Sequence, residues 1–282
     1  MIVSVSRRCD IPFHSFNWFM ARLYAGFCET VNPFNANQVR RVSLKPGNAG
    51  AATEVAGQNG VDAFVFWTRN PKHILENAGK IEKMGFHYYV MVTVTGYSKI
   101  LEPVMTKAEK VCNSMKELAQ IIGAERVIWR YDPIFVSNIS DEEFHRKNFS
   151  ELAQKLSGSV RRVIISLYQD YKRAEKRIDW LKRNGLKIMP HNAAALSGLL
   201  SDMAQTAKNA DMEIQSCAQA ESLGPYGIKA GACIDAELIN RLWGYEFKGK
   251  DKNQRPNCLC CQSVDIGSYG SCTAGCVYCY AW

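Results

Sequence analysis

The sequence predicts an α/β protein, most simply a (β/α)8 barrel of the TIM type. Eight short β-rich runs recur along the chain, and most are followed by a turn and a segment with helical periodicity. No linker rich in proline, glycine or serine divides this alternation, which favours a single barrel domain over residues 1–282. An open or partial parallel α/β barrel is the alternative. The chain contains no G-x-G-x-x-G nucleotide turn, which weakens an open doubly wound sheet.

The predicted strands are short and rich in apolar residues, as strands buried on both faces are. In chain order they are Ile2–Ser6, Ala63–Trp67, Tyr88–Val94, Arg126–Arg130, Val160–Leu167, Leu186–Met189, Met212–Ser216 and Val264–Ile266. A turn signal over residues 32–35 precedes Val39–Leu44, which is predicted as an extra strand or hairpin.

Capping and stop signals predict six helices between these strands. Ser140, with Glu143 three residues later, is a capping-box start, and Ser15 and Pro71 are start signals of two other helices. The predicted helices cover residues 15–28, 71–84, 106–122, 140–156, a charged segment ending near 184, and 193–209.

Composition and charge exclude several classes of protein. Apolar residues make up 47% of the chain and charged residues 22%, which is ordinary for a soluble globular protein. No apolar run approaches the roughly 20 residues of a membrane span, and the N-terminus lacks the apolar stretch of a signal peptide. We therefore expect a cytoplasmic protein without a membrane partner. The net charge of +8 favours anionic partners, and the basic loop of Lys248, Lys250, Lys252 and Arg255 could dock nucleic acid.

The distribution of cysteines is the strongest chemical signal. Eight of the eleven cysteines lie within residues 217–282, and clustered cysteines in a reducing compartment hold metal more often than disulfides. Cys272, Cys276 and Cys279 stand in a compact C-x3-C-x2-C motif of soft thiolates, which suit iron–sulfur clusters or zinc. Three such ligands would leave one iron of a four-iron cluster open to a further ligand.

A second group of cysteines precedes this motif. Cys217 and Cys233 follow the predicted seventh strand, and Cys258, Cys260 and Cys261 fall within four residues. Cys258 and Cys260 point the same way along an extended segment, which leaves Cys261 out. The other four thiolates would complete a closed site, predicted to be an auxiliary iron–sulfur cluster, with zinc as the alternative.

Polar side chains are dense where the predicted strands end, which is where a barrel builds its active site. Charges there are costly unless a ligand is bound, although turn formation or an Arg130–Asp132 ion pair would account for single residues. The residues expected to take part in catalysis are Arg7, Asp10, Arg69, Arg130 and Asp132, and Thr93 and Thr95 lie at the end of the third predicted strand.

The C-terminal cysteine motif, with Tyr278 just before its third cysteine, resembles the motif of radical S-adenosylmethionine (SAM) enzymes. That motif usually lies near the start of the chain, whereas here it ends three residues before the last. Because a closed barrel has no privileged first strand, the resemblance implies a circularly permuted radical-SAM-like barrel. Such enzymes continue past the cluster into a helix, so either a short tail is missing here or the cluster lies near the surface.

Longer blocks resemble the family known as domain of unknown function 1848, whose C-terminal cysteines are like the radical-SAM cluster. The blocks that carry this resemblance are residues 4–12, 32–35, 66–71, 130–133, 233–235, 251–255 and 265–269. The resemblance implies that Cys272, Cys276 and Cys279 hold a 4Fe-4S cluster whose open iron binds SAM. An electron donor such as flavodoxin or ferredoxin would drive cleavage of SAM to a 5′-deoxyadenosyl radical. By the same resemblance Tyr278 would lie beside the adenine, and Thr93 and Thr95 would contact the cofactor in place of the family's motif for the SAM amino group. The substrate would be an unknown small molecule or a nucleic acid.

A protein of another class is also compatible with these residues. The chain could be a non-catalytic zinc or iron–sulfur binding module that docks nucleic acid through the basic loop. The two hypotheses differ in the coordination site, because only the enzyme needs a position left open for a further ligand.

Overall fold

The computed structural model describes residues 1–33, 35–47 and 60–281 and has a predominantly parallel α/β fold. Its strands are β1 (Ile2–Val5), β2 (Phe27–Asn32), β3 (Asn35–Ser43), β4 (Ala63–Thr68), β5 (Tyr88–Thr93), β6 (Val127–Ile134), β7 (Arg162–Leu167), β8 (Glu213–Cys217), β9 (Lys229–Gly231) and β10 (Val264–Asp265). Its α-helices are α1 (Ile11–His14), α2 (Phe16–Ala25), α3 (Lys72–Lys83), α4 (Ala108–Ile122), α5 (Glu142–Leu156), α6 (Glu175–Arg183), α7 (Ser197–Asn209) and α8 (Ala236–Trp243).

Eight of the strands form one sheet in the order β10-β1-β4-β5-β6-β7-β8-β9, and all neighbours in it are parallel. The predicted α/β class with eight parallel strands is therefore confirmed. β10 pairs with β1, so that Val264 lies opposite Val3 and Asp265 opposite Ser4. This pairing places the C-terminal segment of the chain directly beside its N-terminal segment.

Burial on both faces explains why the strands read as continuous apolar runs. On one side of β4, Phe64 and Phe66 both pack edge-on against Phe19 of α2, at 5.4 and 5.3 Å between ring centroids. Each such aromatic pair contributes roughly 1 kcal/mol beyond the burial of its area. On the other side, Ala63 and Val65 belong to a second apolar cluster that includes residues of α8 and of the segment just before β10.

One predicted strand, Leu186–Met189, is wrong. Ile188 forms an isolated bridge with Ser137, and the backbone N–H of Met189 donates to Val136 O at 3.0 Å. The segment therefore pairs with the chain just beyond β6 instead of joining the sheet. The eighth place is taken by β9, which is only three residues long, partly exposed and ends at Gly231, so that it carries almost no apolar pattern.

The first long helix is shorter than predicted, and the segment after it is a hairpin. α2 ends at Ala25 because Gly26 adopts a left-handed conformation with φ of +74°, which stops the helix. Cys28 therefore lies in β2, which pairs antiparallel with β3 and confirms the predicted extra hairpin. Phe34, part of the predicted turn, lies outside the described residues.

The start of α5 differs from the predicted capping box by one residue. Asp141 caps the helix, since its carboxylate accepts a hydrogen bond from Phe144 N at 2.8 Å. The Ser140 hydroxyl instead donates to Phe135 O at 2.6 Å. Across the part of the chain that the structure describes, no helix combines the length and apolarity needed to cross a membrane.

Candidate functional site

A cavity of about 190 Å³ lies at the carboxyl ends of the strands. This volume is far above the ~15 Å³ that one water needs. Side chains that follow β1, side chains at or just after the ends of β4, β5, β6 and β7, and the C-terminal cysteine motif line it. The predicted site residues in its lining are Arg7, Asp10, Arg69, Thr93, Arg130, Asp132, Cys272, Cys276, Tyr278 and Cys279. The ends of parallel strands thus bring together residues that lie up to 272 positions apart, from Arg7 to Cys279.

Contacts from several parts of the chain hold the C-terminal motif against this cavity. The backbone N–H of Val277 donates to Leu101 O at 3.1 Å, in the loop after β5. Arg177 of α6 donates to Val277 O at 3.1 Å. The Tyr280 hydroxyl donates to Arg7 O at 3.0 Å, in the loop after β1. The motif is therefore held by two loops and by α6, through its backbone at Val277 and the side chain of Tyr280, and none of these three contacts uses a thiol.

The conformation and burial of the motif suit a metal-binding loop. Gly275 has a left-handed φ of +70°, and a Cβ there would lie 3.2 Å from Pro103 Cγ, so the turn before Cys276 favours glycine. Burial raises the pKa of the Cys276 thiol to about 12, although the nearby Arg69 guanidinium opposes this shift. Burial likewise raises the pKa of Cys279. The thiolate forms therefore need a positive partner, which a metal supplies.

Arg69 lies at the centre of a buried network behind the motif. Its guanidinium contacts Glu102 Oε1 at 2.7 Å and donates to the Tyr278 hydroxyl at 2.7 Å. The hydroxyls of Thr95, at 2.6 Å, and of Tyr278 both donate to the same carboxylate oxygen of Glu102. The network fixes the Tyr278 ring beside the cysteines and keeps Thr95 outside the lining of the cavity.

Glu102 is a site residue that the sequence did not predict. Only 3% of it is exposed, and its carboxylate balances the charge of Arg69, whose side chain is 13% exposed. An unpaired charge at such a depth is expensive, so the pair is needed for Arg69 to lie there at all. The only signal in the sequence is an acidic residue in the loop that follows the polar end of β5.

Asp10 joins the ends of β1 and β4. Its carboxylate accepts hydrogen bonds from the backbone N–H groups of Arg69, at 2.7 Å, and Phe13, at 3.0 Å. Burial raises the pKa of Asp10 to about 6, in spite of these hydrogen bonds. A carboxyl with such a pKa can hold or release a proton near neutral pH.

Arg130 and Trp67 carry hydrogen-bond donors that no group of the described residues satisfies. Arg130 forms an ion pair with Asp132 and donates to Thr93 Oγ1 at 3.3 Å, and Asp132 accepts from the Ser166 hydroxyl. The Arg130 guanidinium lies 4.8 Å from the centroid of the Trp67 ring. Among the described residues, Arg130 Nε and Trp67 Nε1 are nevertheless buried without a partner. Buried donors are normally satisfied, so these two point to a polar ligand in the cavity that both residues line.

The second group of cysteines comes together on the side of the sheet that α8 covers. The sulfurs of Cys217 and Cys233 lie 3.1 Å apart. Hydrogen bonds from the Cys233 and Cys258 thiols lower the pKa of Cys260, which also accepts from the backbone N–H of Ile234 at 3.3 Å. The four thiols selected from the sequence therefore form one continuous group.

Metal binding by either group stays a prediction. Within residues 1–33, 35–47 and 60–281, no set of three or more His, Cys, Asp or Glu side chains is already arranged as a metal site. The donor sets fit metals in different ways. The C-terminal motif offers three thiols to a cavity, whereas the second group offers four thiols that contact one another.

The basic loop is only partly available to nucleic acid. The Arg255 guanidinium donates to Gln169 Oε1 at 2.9 Å and to the Tyr171 hydroxyl at 3.1 Å, and both of these residues line the cavity. Lys250 donates to the backbone carbonyl of Pro256. Arg255 is thus hydrogen-bonded to residues of the cavity wall and is not free to bind a phosphate.

These observations define a parallel α/β protein with a cysteine-lined ligand cavity at the carboxyl ends of its strands. The chain belongs to the family described as "Domain of unknown function (DUF1848)", whose model matches residues 2–281. This match confirms the family suggested by the sequence blocks. A search of curated proteins found no match.

Two solved structures share a distant likeness with the chain. One is described as a "putative alpha-L-fucosidase from Bacteroides thetaiotaomicron VPI-5482", with a TM-score of 0.32 and 8% identity over 73% of this chain and 84% of that one. The other is morphinone reductase, with a TM-score of 0.33 and 13% identity over 93% of this chain and 66% of that one. Likenesses this distant carry no argument about function.

Proposed function

We propose that this protein is a radical-SAM enzyme on a circularly permuted barrel, in which Cys272, Cys276 and Cys279 hold a 4Fe-4S cluster that binds SAM. When bound, the cluster and SAM supply reductive formation of a 5′-deoxyadenosyl radical that abstracts hydrogen from a substrate. One observation carries the proposal. The three motif thiols line the same cavity as Arg130 and Trp67, which each have a buried donor without a partner among the described residues.

The donor set leaves room for an external ligand. Three thiols reach the cavity from the C-terminal loop, so a four-iron cluster held there would keep one iron without a cysteine from this motif. Around them lie the charged groups that an amino acid moiety requires. Arg130 Nε, which has no partner in the described part of the chain, can donate to a carboxylate, while the carboxylate of Asp132 and the hydroxyl of Thr93 can accept from an ammonium group.

Tyr278 is held in a position from which its ring could flank an adenine. Its hydroxyl is tied to Arg69 and Glu102, and its ring packs against Phe135 at 6.0 Å between centroids. Ring and hydroxyl are therefore both fixed before a ligand binds, which lowers the entropic cost of binding. In this proposal Arg69 and Glu102 position Tyr278 and do not contact the reacting atoms.

Aromatic side chains give the cavity the dry character that radical chemistry requires. Trp67, Tyr168, Tyr171, Tyr278 and Tyr280 all contribute to its lining. Their rings exclude water and offer faces for stacking a planar group of SAM or of the substrate. An unknown small molecule or a base of a nucleic acid would both use such faces.

The proposal is tested by anaerobic reconstitution with iron and sulfide. We expect a reduced cluster whose electron paramagnetic resonance spectrum changes when SAM is added, and 5′-deoxyadenosine detected by mass spectrometry after reduction with dithionite or flavodoxin. Cys112→Ala is the matched control, because Cys112 is a buried cysteine of α4 outside both groups. The proposal would be overturned if SAM did not change the spectrum of the cluster and no deoxyadenosine formed. Salt-dependent binding of nucleic acid by that same inert protein would support the non-catalytic module instead.

A further inference from the structure

Four cysteines from three separate parts of the chain meet next to the two edges of the sheet. Cys217 is the last residue of β8 and Cys233 follows the edge strand β9, whereas Cys258 and Cys260 precede β10, the opposite edge strand. We propose that these four thiolates form a closed site for one zinc-class metal ion, which joins the two edges of the sheet. The site does not depend on the function proposed above.

The spacing of the sulfurs favours a single ion. A tetrahedral site with metal–sulfur bonds near 2.3 Å separates its sulfurs by about 3.8 Å. The Cys217 and Cys233 sulfurs are 3.1 Å apart, and Cys260 shares thiol hydrogen bonds with both Cys233 and Cys258. A 4Fe-4S cluster places a separate iron behind each thiolate and would have to push these contacting sulfurs well apart.

The thiols lie in a row that metal binding would close into a tetrahedron. The row runs from Cys217 through Cys233 and Cys260 to Cys258, by way of the three thiol–thiol contacts. Each neighbour already lies within hydrogen-bond reach of the next, so closing the row requires the two end sulfurs, those of Cys217 and Cys258, to approach one another. Binding of a dication would release the thiol protons to solvent and replace these hydrogen bonds by metal–sulfur bonds.

Backbone contacts already hold the segments of this group together. The N–H of Ile234 donates to Cys260 Sγ at 3.3 Å, and the N–H of Cys261 donates to Ile234 O at 3.0 Å. The Tyr89 hydroxyl donates to Cys233 O at 2.6 Å. An N–H group aimed at a ligand sulfur is the kind of outer-shell contact that orients and stabilises a metal-bound thiolate.

Positive charge around the group suits a tetrathiolate site. Four thiolates around a dication leave two negative charges, which need compensation in a buried place. The guanidinium charges of Arg130 and Arg255 act on Cys217, and that of Arg7 acts on Cys260. Because all four positions would be filled by protein, the metal would have a structural role and would not react with substrate.

Metal analysis and cobalt substitution of the full chain test this inference. We expect about one zinc per chain in protein purified without iron reconstitution, and visible ligand-field bands of a tetrahedral thiolate site when cobalt replaces it. Cys233→Ser and Cys258→Ser should each weaken cobalt binding by at least about tenfold. Cys261→Ser is the matched control, since Cys261 is equally buried and adjacent to Cys260, and it should bind cobalt as the wild type does.

Several results would overturn the inference. They are iron with labile sulfide at these cysteines in place of zinc, a Cys217–Cys233 disulfide found by mass spectrometry, or equal loss of cobalt from Cys261→Ser and Cys233→Ser. If the serine variants do not fold, metal analysis of the wild-type protein is the test. A wild-type chain that contains no zinc and shows no cobalt bands would contradict the proposed site. None of these measurements depends on SAM, so failure here is distinct from failure of the proposed enzyme.

Discussion

The two groups of cysteines differ in what surrounds their thiols. Cys272, Cys276 and Cys279 come from one loop, whose backbone is tied to Arg177 and Leu101, and their side chains line a cavity. The thiols of the second group come from three segments and contact each other, with Cys233 and Cys260 almost completely buried. Three thiols facing a cavity suit a cofactor with an open position, whereas four thiols facing one another suit a closed structural site.

The largest expected effect separates the two groups by removing one motif ligand. In Cys276→Ala, we expect deoxyadenosine formation to fall at least about 100-fold, because the cluster loses one of its three thiolates. Zinc or cobalt at the second group should be unchanged. Mass spectrometry of the nucleoside and metal analysis of the same sample provide the measurement. Loss of both metals from this variant would show that the groups are not independent.

Glu102→Gln tests the network behind the motif. The substitution leaves the Arg69 charge buried without its carboxylate, and we expect the free energy of unfolding to fall by about 3 kcal/mol in urea titrations. Glu76→Gln is the control, because Glu76 pairs with Lys72 on the surface and is 48% exposed. Its cost should stay below about 0.5 kcal/mol. Equal effects of the two substitutions would mean that the buried pair has no special role.

A pH titration tests the environment of Asp10. The folded protein holds this proton with a pKa of about 6, above the usual value of 3.8, so the folded state binds more protons between these two pH values. Its contribution to stability is complete below about pH 4 and is lost as the pH rises through about 6, a change of about 3 kcal/mol. Asp10→Asn should remove this fall, as measured by urea unfolding at several pH values.

The informative quantity is the difference in the free energy of unfolding between Asp10→Asn and the wild type at each pH. Burial lowers the pKa of His145 to about 4, which gives stability a slope of the opposite sign in nearly the same range of pH. The two slopes offset one another in the wild type, so a flat wild-type curve is no evidence against Asp10. A difference curve that is flat between pH 4 and 6 would contradict the raised pKa of Asp10.

The smallest expected effect concerns the contacts that hold the motif loop. Arg177→Ala removes the hydrogen bonds to Val277 O and Cys279 O, and we expect iron incorporation to become roughly tenfold slower, the factor that corresponds to about 1.5 kcal/mol for a single charged hydrogen bond. Cobalt binding at the second group should not change. Arg183→Ala, at the end of the same helix, is the control. Equal iron incorporation by both variants would show that Arg177 does not position the loop.

Much of the fold followed from local patterns in the sequence. Strands buried on both faces give unbroken apolar runs, and such runs identified β4, β5, β6 and β7. The edge strand β9 gave no such run because it is short and partly exposed. Leu186–Met189 looked like a strand by composition, but its partner is the chain near Ser137, and such a tertiary pairing has no local signal.

The candidate site was predictable where its residues lie at strand ends or in a cysteine motif. Parallel strands bring their carboxyl ends together, so the sequence alone predicted that Arg7, Arg69 and Arg130 lie in one site. Glu102 could not, because it lies in a loop whose path is set by packing against the motif. The mutual contacts of the second cysteine group likewise depend on the tertiary fold, and the sequence alone left iron–sulfur and zinc open.

The central claim is that the chain has two cysteine sites of different kinds. Counting iron, labile sulfide and zinc in anaerobically reconstituted wild type and Cys276→Ala, prepared in parallel, tests it most directly. We predict about four irons and about one zinc per wild-type chain, with the zinc retained and the iron lost in the variant. About eight irons in the wild type, or loss of zinc together with iron in Cys276→Ala, would contradict the claim.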